Sequence, residues 1–454
     1  VIKSTLDNIV GVDNVLIPTN SAYQQYSQEQ RGRFDSKPSF IVLPNSTEQV
    51  SQLLKYCYSN DIIAIPQGGN TGLVGGSVAD YADRTCIIIN LSRYQQIDDI
   101  YDDPHRIIVA SGCTLAKLNR YTTRRYNTLW PVGLSVADKA QIGGIISTNA
   151  GGVNVLQHGM AGANVLGLEV VLANGEVVNT LTPLTKRNNG YNITSLFIGS
   201  EGTLGIITKA SLKLTPISKY KQLMWVGMAD LSEVITLYKL LYQQYSQQLT
   251  AFEVMSHITV ELVAKWRQLQ QPLANNHQWY LLIEFSSNMR LDLPDIANSI
   301  LCDDINATTI WQIRSEIPWV QREEGASIKH DIALPLAHIA KFHAKAESKI
   351  TKLISGARLT PFGHIGDGNL HYNVLQPVAM SKSRFLAKTK LCNQLVYETV
   401  WQYGGTCSAE HGVGLIKQDA MSYEHGQTNL QLMRAIKTTL DDKNIMNTGK
   451  VLMI

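Results

Sequence analysis

The chain has 454 residues, 44% of them hydrophobic and 17% charged, with 40 Lys and Arg against 37 Asp and Glu for a net charge of +3. That length exceeds one ordinary domain, so two or three cores are expected, and a composition free of low-complexity blocks and fixed-period repeats excludes a disordered or solenoid chain. The basic residues are scattered rather than gathered in a tract, which excludes nucleic acid as the partner and points to a small one.

In chain order, residues from about Asp35 to Pro216 alternate short β-branched runs with amphipathic stretches, the mark of mixed α and β layers. Val50, Leu53, Leu54 and Cys57 fall at helical spacing, and Ile62 to Ile65 reads as a buried strand. Ile107 to Ala110 and Leu115 to Tyr121 repeat the pair as strand and helix, and Asn174-Gly175 reads as a hairpin turn between 168–173 and 176–180. An alternating strand from Ile206 to Leu214 stops at Thr215-Pro216, which marks the first domain boundary. Beyond it, Leu231–Tyr245 and Leu336–Ile354 read as helices and Trp279–Phe285 as a strand, an α+β pattern. The tail reads as helical, with amphipathic helices over Ser381–Tyr403 and Asn429–Leu440. The expected domains are therefore 1–216, 217–380 and 381–454.

Five glycines stand in the nine residues from Gly68 to Gly76, out of 33 in the chain. Glycine exposes backbone N–H groups with no side chain in the way, so such a loop can wrap a pyrophosphate; the bland reading is a pair of tight turns. A second cluster (Gly143-Gly144, Ser147 to Gly152, Gly159, Gly162) and a third (Gly199 to Gly205) weigh against that reading and suggest a dinucleotide crossing several loops. Neither GxGxxG nor GxxxxGK[ST] occurs, which argues against a Rossmann site and a P-loop.

Further on, His364 and His371 flank a Gly-Asp-Gly turn, and strand period puts His371 and Asn373 on one face. Glu410 and His411 then stand together between small residues. Two imidazoles and a carboxylate are three ligands of a catalytic metal site with a position left open, zinc being favoured over manganese or iron by the imidazole content. Any one such histidine alone is more often structural, but three of the chain's 11 gather in these two loops. The six cysteines, Cys57, Cys86, Cys113, Cys302, Cys392 and Cys407, lie far apart and read as reduced and mostly buried. No apolar run approaches the roughly 18–20 residues of a spanning helix. A cytoplasmic location is expected, or the mitochondrial matrix if a leader preceded Val1.

PQGGNTGLVGGS at 66–77, IGGIISTNAGG at 142–152, LFIGSEGTLGIIT at 196–208, GHIGDGNLHYN at 363–373 and SAEHGVG at 408–414 together resemble the FAD-linked D-2-hydroxy-acid dehydrogenases with a flavin domain of the vanillyl-alcohol-oxidase type. Within that group the chain is most similar to the D-2-hydroxyglutarate dehydrogenases, with D-lactate dehydrogenases and the glycolate oxidase flavin subunit as relatives. The resemblance implies an α+β fold: a two-part α/β FAD-binding domain over 1–216, an α+β substrate or cap domain over 217–380, and a helical C-terminal segment packing back on the flavin site.

It also implies site residues. The FAD pyrophosphate is expected on Gly68, Gly69, Asn70, Thr71 and Gly72, with further contacts from Gly76, Ser77, Gly143, Gly144, Thr148, Asn149, Gly151, Gly152, Glu201, Gly202, Ile206, Ile207 and Asn447. Members with covalent flavin use a histidine in the first loop; Asn70 and Thr71 stand there, so a non-covalent FAD is implied. His364, His371 and Glu410 are implied as ligands of one divalent metal, Asn373 as assisting at the substrate and His411 as the base. Arg314 and Lys329 match the positions that hold substrate carboxylates, against a bland reading of surface salt bridges.

The chain departs from the hydroxyglutarate pattern in two places. Pro318 stands where a threonine helps hold the distal carboxylate, and His330 where a tyrosine stands, which leaves D-lactate or another D-2-hydroxy acid open. Thr448 replaces the proline of the closing motif, an expected change in one local turn. The implied acceptor is an electron-transferring flavoprotein or a quinone, and a homodimer is the commonest assembly. Two rival readings are a metal-dependent hydrolase, which leaves the three glycine loops unexplained, and a flavin subunit that works only inside a complex.

Overall fold

The computed structural model describes residues 1–29, 32–81, 84–99 and 102–453. The chain divides into two compact units, one made of Val1–Gly151, Gly159–Ile217 and Glu410–Ile454, the other of Gly152–His158 and Ser218–Ala409.

In the first unit the helix Thr47–Ser59 starts where Ser46 accepts the N–H of Gln49 through its side chain, and it buries Val50, Leu53, Leu54 and Cys57. It packs on a four-stranded sheet in the order Val15–Leu16, Phe40–Val42, Cys86–Asn90, Ile63–Gln67. The last three strands run parallel, and Cys86–Asn90 is buried at every position, as a strand covered on both faces must be. A five-stranded antiparallel sheet follows, in the order Ile97–Asp98, Arg106–Ala110, Ile206–Lys213, Val165–Val171, Val177–Asn179. Leu115 and Leu118 of the helix Leu115–Tyr126 join its core around Trp130. The predicted hairpin forms, with Gly175 at φ 84° and the Glu176 N–H donating to Asn174 Oδ1 at 3.0 Å.

The second unit is built on an antiparallel sheet in the order Ser299–Leu301, Tyr220–Met228, Trp279–Ser287, Leu249–Ser256, Arg358–Gly363, Asn369–Leu375, Ser327–Ile328, with Asp331–Ala333 also pairing Asn369–Leu375. The helices His257–Arg267 and Asp304–Glu324 close one face through Val260, Val263, Ile310, Ile313 and Ile317. Pro318 lies inside the second of these, so the Arg314 carbonyl one turn earlier lacks its usual N–H donor.

The tail departs from its sequence reading. Instead of one helix over 381–403 there are two, Lys382–Leu386 and Thr389–Gln402, in the second unit, and no Gly or Pro marks the turn between them. The helix Gln427–Leu440 belongs to the first unit, where buried Lys437 donates to the carbonyls of Thr203 and Met446 at 2.8 Å each and pairs with Asp441. Five of the six cysteines are buried, Cys302 is half-buried, and all are free. No helix among the described residues is long and apolar enough to cross a membrane.

Candidate active site

In the first unit the three glycine loops converge. The first leaves the C-terminal end of the strand Ile63–Gln67, where the buried Asn90 amide donates to Gln67 Oε1 and the Gly68 carbonyl, both at 2.9 Å. Gly69 passes so close to the chain that a Cβ would sit 1.9 Å from the Lys139 carbonyl oxygen. Asn70 adopts φ 53°, and its side-chain oxygen accepts from Ser77 Oγ at 2.9 Å, bracing the loop across its base, while Thr71 is half-buried.

The second and third loops are bonded directly to each other. Gly199 N–H donates to the Ile146 carbonyl at 3.1 Å and Glu201 N–H to that of Ser147 at 2.8 Å. Thr148 Oγ1 donates back to the Gly144 carbonyl at 3.0 Å, and Asn149, at φ 45°, accepts the Gly162 N–H at 2.9 Å. Gly151 and Gly152 are buried, the latter opening the short piece of chain that belongs to the second unit, and Gly202 turns at φ 70° against Pro66. Asn447 joins first loop to third, its amide donating to the Gly76 carbonyl at 2.8 Å and the Glu201 carbonyl at 2.7 Å.

An FAD fits this arrangement by two observations. A Cβ built on Gly72 or Gly144 would meet nothing within 4 Å, so the backbone there borders open space. Beside the same loops, buried Gln141 Oε1 and Ser111 Oγ have no hydrogen-bond partner among the described residues, polar atoms that a ligand would satisfy. Some expected cofactor residues also serve the protein itself. Ile206 and Ile207 bury their side chains in the core, which leaves them only their main chain to offer a ligand. Asn447 spends its amide as the clamp, and the Glu201 carboxylate accepts the N–H groups of Val413 and Gly414 at 2.7 and 2.9 Å. Burial raises the Glu201 pKa, and those two N–H groups oppose the rise. Gly412, at φ 81°, has no room for a Cβ, which would lie 2.7 Å from Glu201 Oε1. The carboxylate therefore braces the turn that carries Glu410 and His411, both half-buried.

In the second unit a chain of charged groups runs through the sheet. Glu253 lies on the strand Leu249–Ser256, buried at every position, and its two oxygens are divided: Oε2 accepts Arg314 Nε at 2.6 Å, and Oε1 lies 2.5 Å from His364 Nδ1. Burial alone would push this carboxyl up; its contacts with His364 and Arg314 outweigh that and hold it at about 2. Arg314 is 8% exposed, with its guanidinium carbon 4.8 Å from the centre of the Phe362 ring. Its terminal Nη1 and Nη2 make no hydrogen bond among the described residues, so the fork that recognises a carboxylate is held in place but uncommitted. Arg314 is thus no surface salt bridge.

The His364 and His371 rings are 5.7 Å apart, and His371 Nδ1 lies 4.0 Å from Asp331 Oδ1. A carboxylate hydrogen-bonded at Nδ1, as Glu253 is at His364, is the arrangement that orients an imidazole toward a metal through its other nitrogen, and two neighbouring imidazoles beside a carboxylate are donors that fit a divalent cation. Sequence reasoning missed Asp331 and Glu253. Asp331 was signalled by its place two residues after Lys329, and Glu253 by being the one carboxylate in an apolar strand.

Lys329 is half-buried, between two short strands. Asn373 is buried, donating to Gln321 Oε1 at 2.8 Å and accepting the His330 N–H at 3.3 Å. His330, 2% exposed, is locked between the Tyr372 carbonyl at 2.7 Å and Asn393 Oδ1 at 3.1 Å, so its ring serves the core of the unit. Pro318 is exposed on its helix.

Against known proteins, residues 38–181 match the model of an FAD binding domain, and residues 217–451 that of the FAD linked oxidases, C-terminal domain. The chain is 34% identical to a probable mitochondrial D-2-hydroxyglutarate dehydrogenase of Oryza sativa subsp. indica, over 99% of this chain and 81% of that one. It is 29% identical to a D-2-hydroxyglutarate dehydrogenase of Stutzerimonas stutzeri, over 98% and 97%. Among solved structures, p-cresol methylhydroxylase with substrate bound shares the fold at a TM-score of 0.72 and 17% identity, over 99% of this chain and 96% of that one.

Proposed function

We propose, for a chain that belongs to the FAD-linked oxidases and is an FAD-dependent D-2-hydroxy-acid dehydrogenase, that its substrate is D-2-hydroxyglutarate and its product 2-oxoglutarate. The observation that carries this reading is Arg314, a buried guanidinium fixed through Nε by Glu253 and backed by Phe362, with its terminal nitrogens left for a carboxylate. Lys329 is the second cation, for the second carboxylate. His364, His371 and Glu410 would hold a divalent metal, with zinc favoured by the imidazole donors. The metal would lower the pKa of the substrate hydroxyl, and FAD would supply the hydride acceptor. His411 takes the hydroxyl proton as base, in a turn braced by Glu201. Asn373, held by Gln321, assists at the substrate.

A second reading, a D-2-hydroxy monocarboxylate such as D-lactate, rests on Pro318. It stands one turn from Arg314 and offers neither hydroxyl nor N–H to a distal carboxylate. The acceptor in either case is a flavoprotein or quinone-type partner, and the location is that of a protein without a spanning helix among its described residues.

Anaerobic mixing with D-2-hydroxyglutarate, D-malate, D-lactate and glycolate in turn, followed by bleaching of the flavin band, tests both readings. Fast bleaching by the dicarboxylates supports the first. Bleaching by lactate alone replaces it with the second, and no bleaching by any of the four rejects both.

A further inference from the structure

We propose that Glu253 is a positioning residue that sets two working groups at once, orienting His364 as a metal ligand and Arg314 as a carboxylate fork. The inference rests on the roles proposed for those two residues and adds the group that makes them possible. Glu253 is 1% exposed, and on its strand it shares a face with Ala251 and Met255, which pack in the apolar core with the helix Asp304–Glu324. A carboxylate buried in that company is costly unless both oxygens are satisfied. They are, by one contact each: His364 Nδ1 at 2.5 Å and Arg314 Nε at 2.6 Å.

Each contact has a chemical consequence. With a carboxylate facing Nδ1, the ring proton belongs on that nitrogen and the lone pair on Nε2, so His364 is presented to a cation through Nε2 with its orientation fixed and its basicity raised. On the arginine, the bond uses Nε and leaves the Nη1–Nη2 edge for a ligand, while Phe362 against the guanidinium holds the plane. One side chain thereby couples metal affinity to carboxylate recognition. Replacing it should disturb both together, although it touches neither ligand.

The test uses the full chain loaded with FAD and zinc, comparing wild type with Glu253→Gln and Glu253→Asp. Zinc affinity is measured by competition with a chelator, and KM and kcat by anaerobic flavin reduction with D-2-hydroxyglutarate. The expected result for Glu253→Gln is a loss of zinc affinity of about 10–100-fold together with a raised KM, at unchanged FAD content, with partial recovery in Glu253→Asp. Wild-type zinc affinity and KM in Glu253→Gln would overturn the inference alone. A wild-type chain that binds no zinc would overturn it along with the ligand role of His364. If Glu253→Gln does not fold, ¹⁵N spectra of the loaded wild type, with His364 assigned by its loss in His364→Gln, decide instead. An Nδ1–H tautomer at His364 supports the proposal, and an Nε2–H tautomer rejects it.

Discussion

Glu201 and Val413 are 212 residues apart in the chain and joined by a 2.7 Å hydrogen bond from the Val413 N–H to the Glu201 carboxylate. The other carboxylate oxygen takes the Gly414 N–H at 2.9 Å. Glu201→Ala removes both acceptors at once and leaves two N–H groups to find new partners, a loss of about 1–3 kcal/mol for each one left buried and unpaired. Because that turn carries Glu410 and His411, the expected outcome is a lower melting temperature and a slower rate of flavin reduction, with FAD still bound. Differential scanning calorimetry and stopped-flow reduction check the two halves separately, and an unchanged reduction rate would mean the turn holds its shape without the carboxylate.

His411→Ala is expected to keep flavin absorption and metal content while flavin reduction slows by about 10²–10⁴-fold, the range for loss of a general base. Unchanged reduction kinetics would remove His411 from the mechanism. Its neighbour separates the roles, since Glu410→Gln is expected to lower metal content, and full occupancy by elemental analysis would deny Glu410 a place among the ligands.

Arg314→Ala and Arg314→Lys distinguish the fork from the charge. Alanine leaves Glu253 buried beside His364 without its permanent cation, so stability should drop by about 3 kcal/mol, and KM should rise about 10–100-fold through loss of a charged hydrogen-bonding group. Lysine restores a positive charge but neither the Nε contact nor the planar edge, so stability should recover further than KM does. Equal recovery of both in Arg314→Lys, read from denaturant melts and steady-state kinetics, would show that charge alone is recognised.

The second unit carries a pH-sensitive anchor away from these residues. Glu324 at the end of the helix Asp304–Glu324 accepts Lys265 at 2.7 Å, Trp266 Nε1 at 2.8 Å and Arg358 at 2.6 Å. Burial pushes its carboxyl up, but these partners prevail and hold it at about 2. A carboxyl with its pKa depressed in the fold stabilises fully above its unfolded value, and that contribution fades as pH falls from about 4.5 toward about 2. Glu324→Gln should therefore flatten the acid limb of the stability curve between about pH 5 and 2. Urea melts between pH 2 and 5 check it, and an identical acid limb in the variant would assign the loss to other carboxylates.

Much of the fold was legible because its rules are local. Helical spacing at Val50, Leu53, Leu54 and Cys57 and the Asn174-Gly175 turn depend on residues a few positions apart, and each forms as expected. The strand from Ile206 also forms, but it is buried on both faces, and a bulge between Ile207 and Lys209 sends Ile206 to one core and Ala210 and Leu212 to another, so the expected single alternating face is not kept. What local rules did not mark were the turn at 387–388 and the strand Leu249–Ser256, whose burial on both faces erases the alternation that would reveal it.

The sequence by itself determined which residue types stand in which loops: the glycines and left-handed asparagines that bend the backbone at Asn70 and Asn149, the paired histidines, and Glu410 beside His411. These follow from backbone sterics and side-chain chemistry, which act where the residue sits. Only the tertiary structure decided what each side chain is spent on. Pairing of Leu249–Ser256 with Arg358–Gly363 brings Glu253 to His364 across 111 residues. Packing of the helix Asp304–Glu324 on the same sheet carries Arg314 to the other oxygen, and convergence of three loops makes Asn447 and Glu201 braces between them. The reason is physical: a buried polar group must find a partner, and in an antiparallel sheet the order of strands, which no local pattern encodes, determines which partner is in reach.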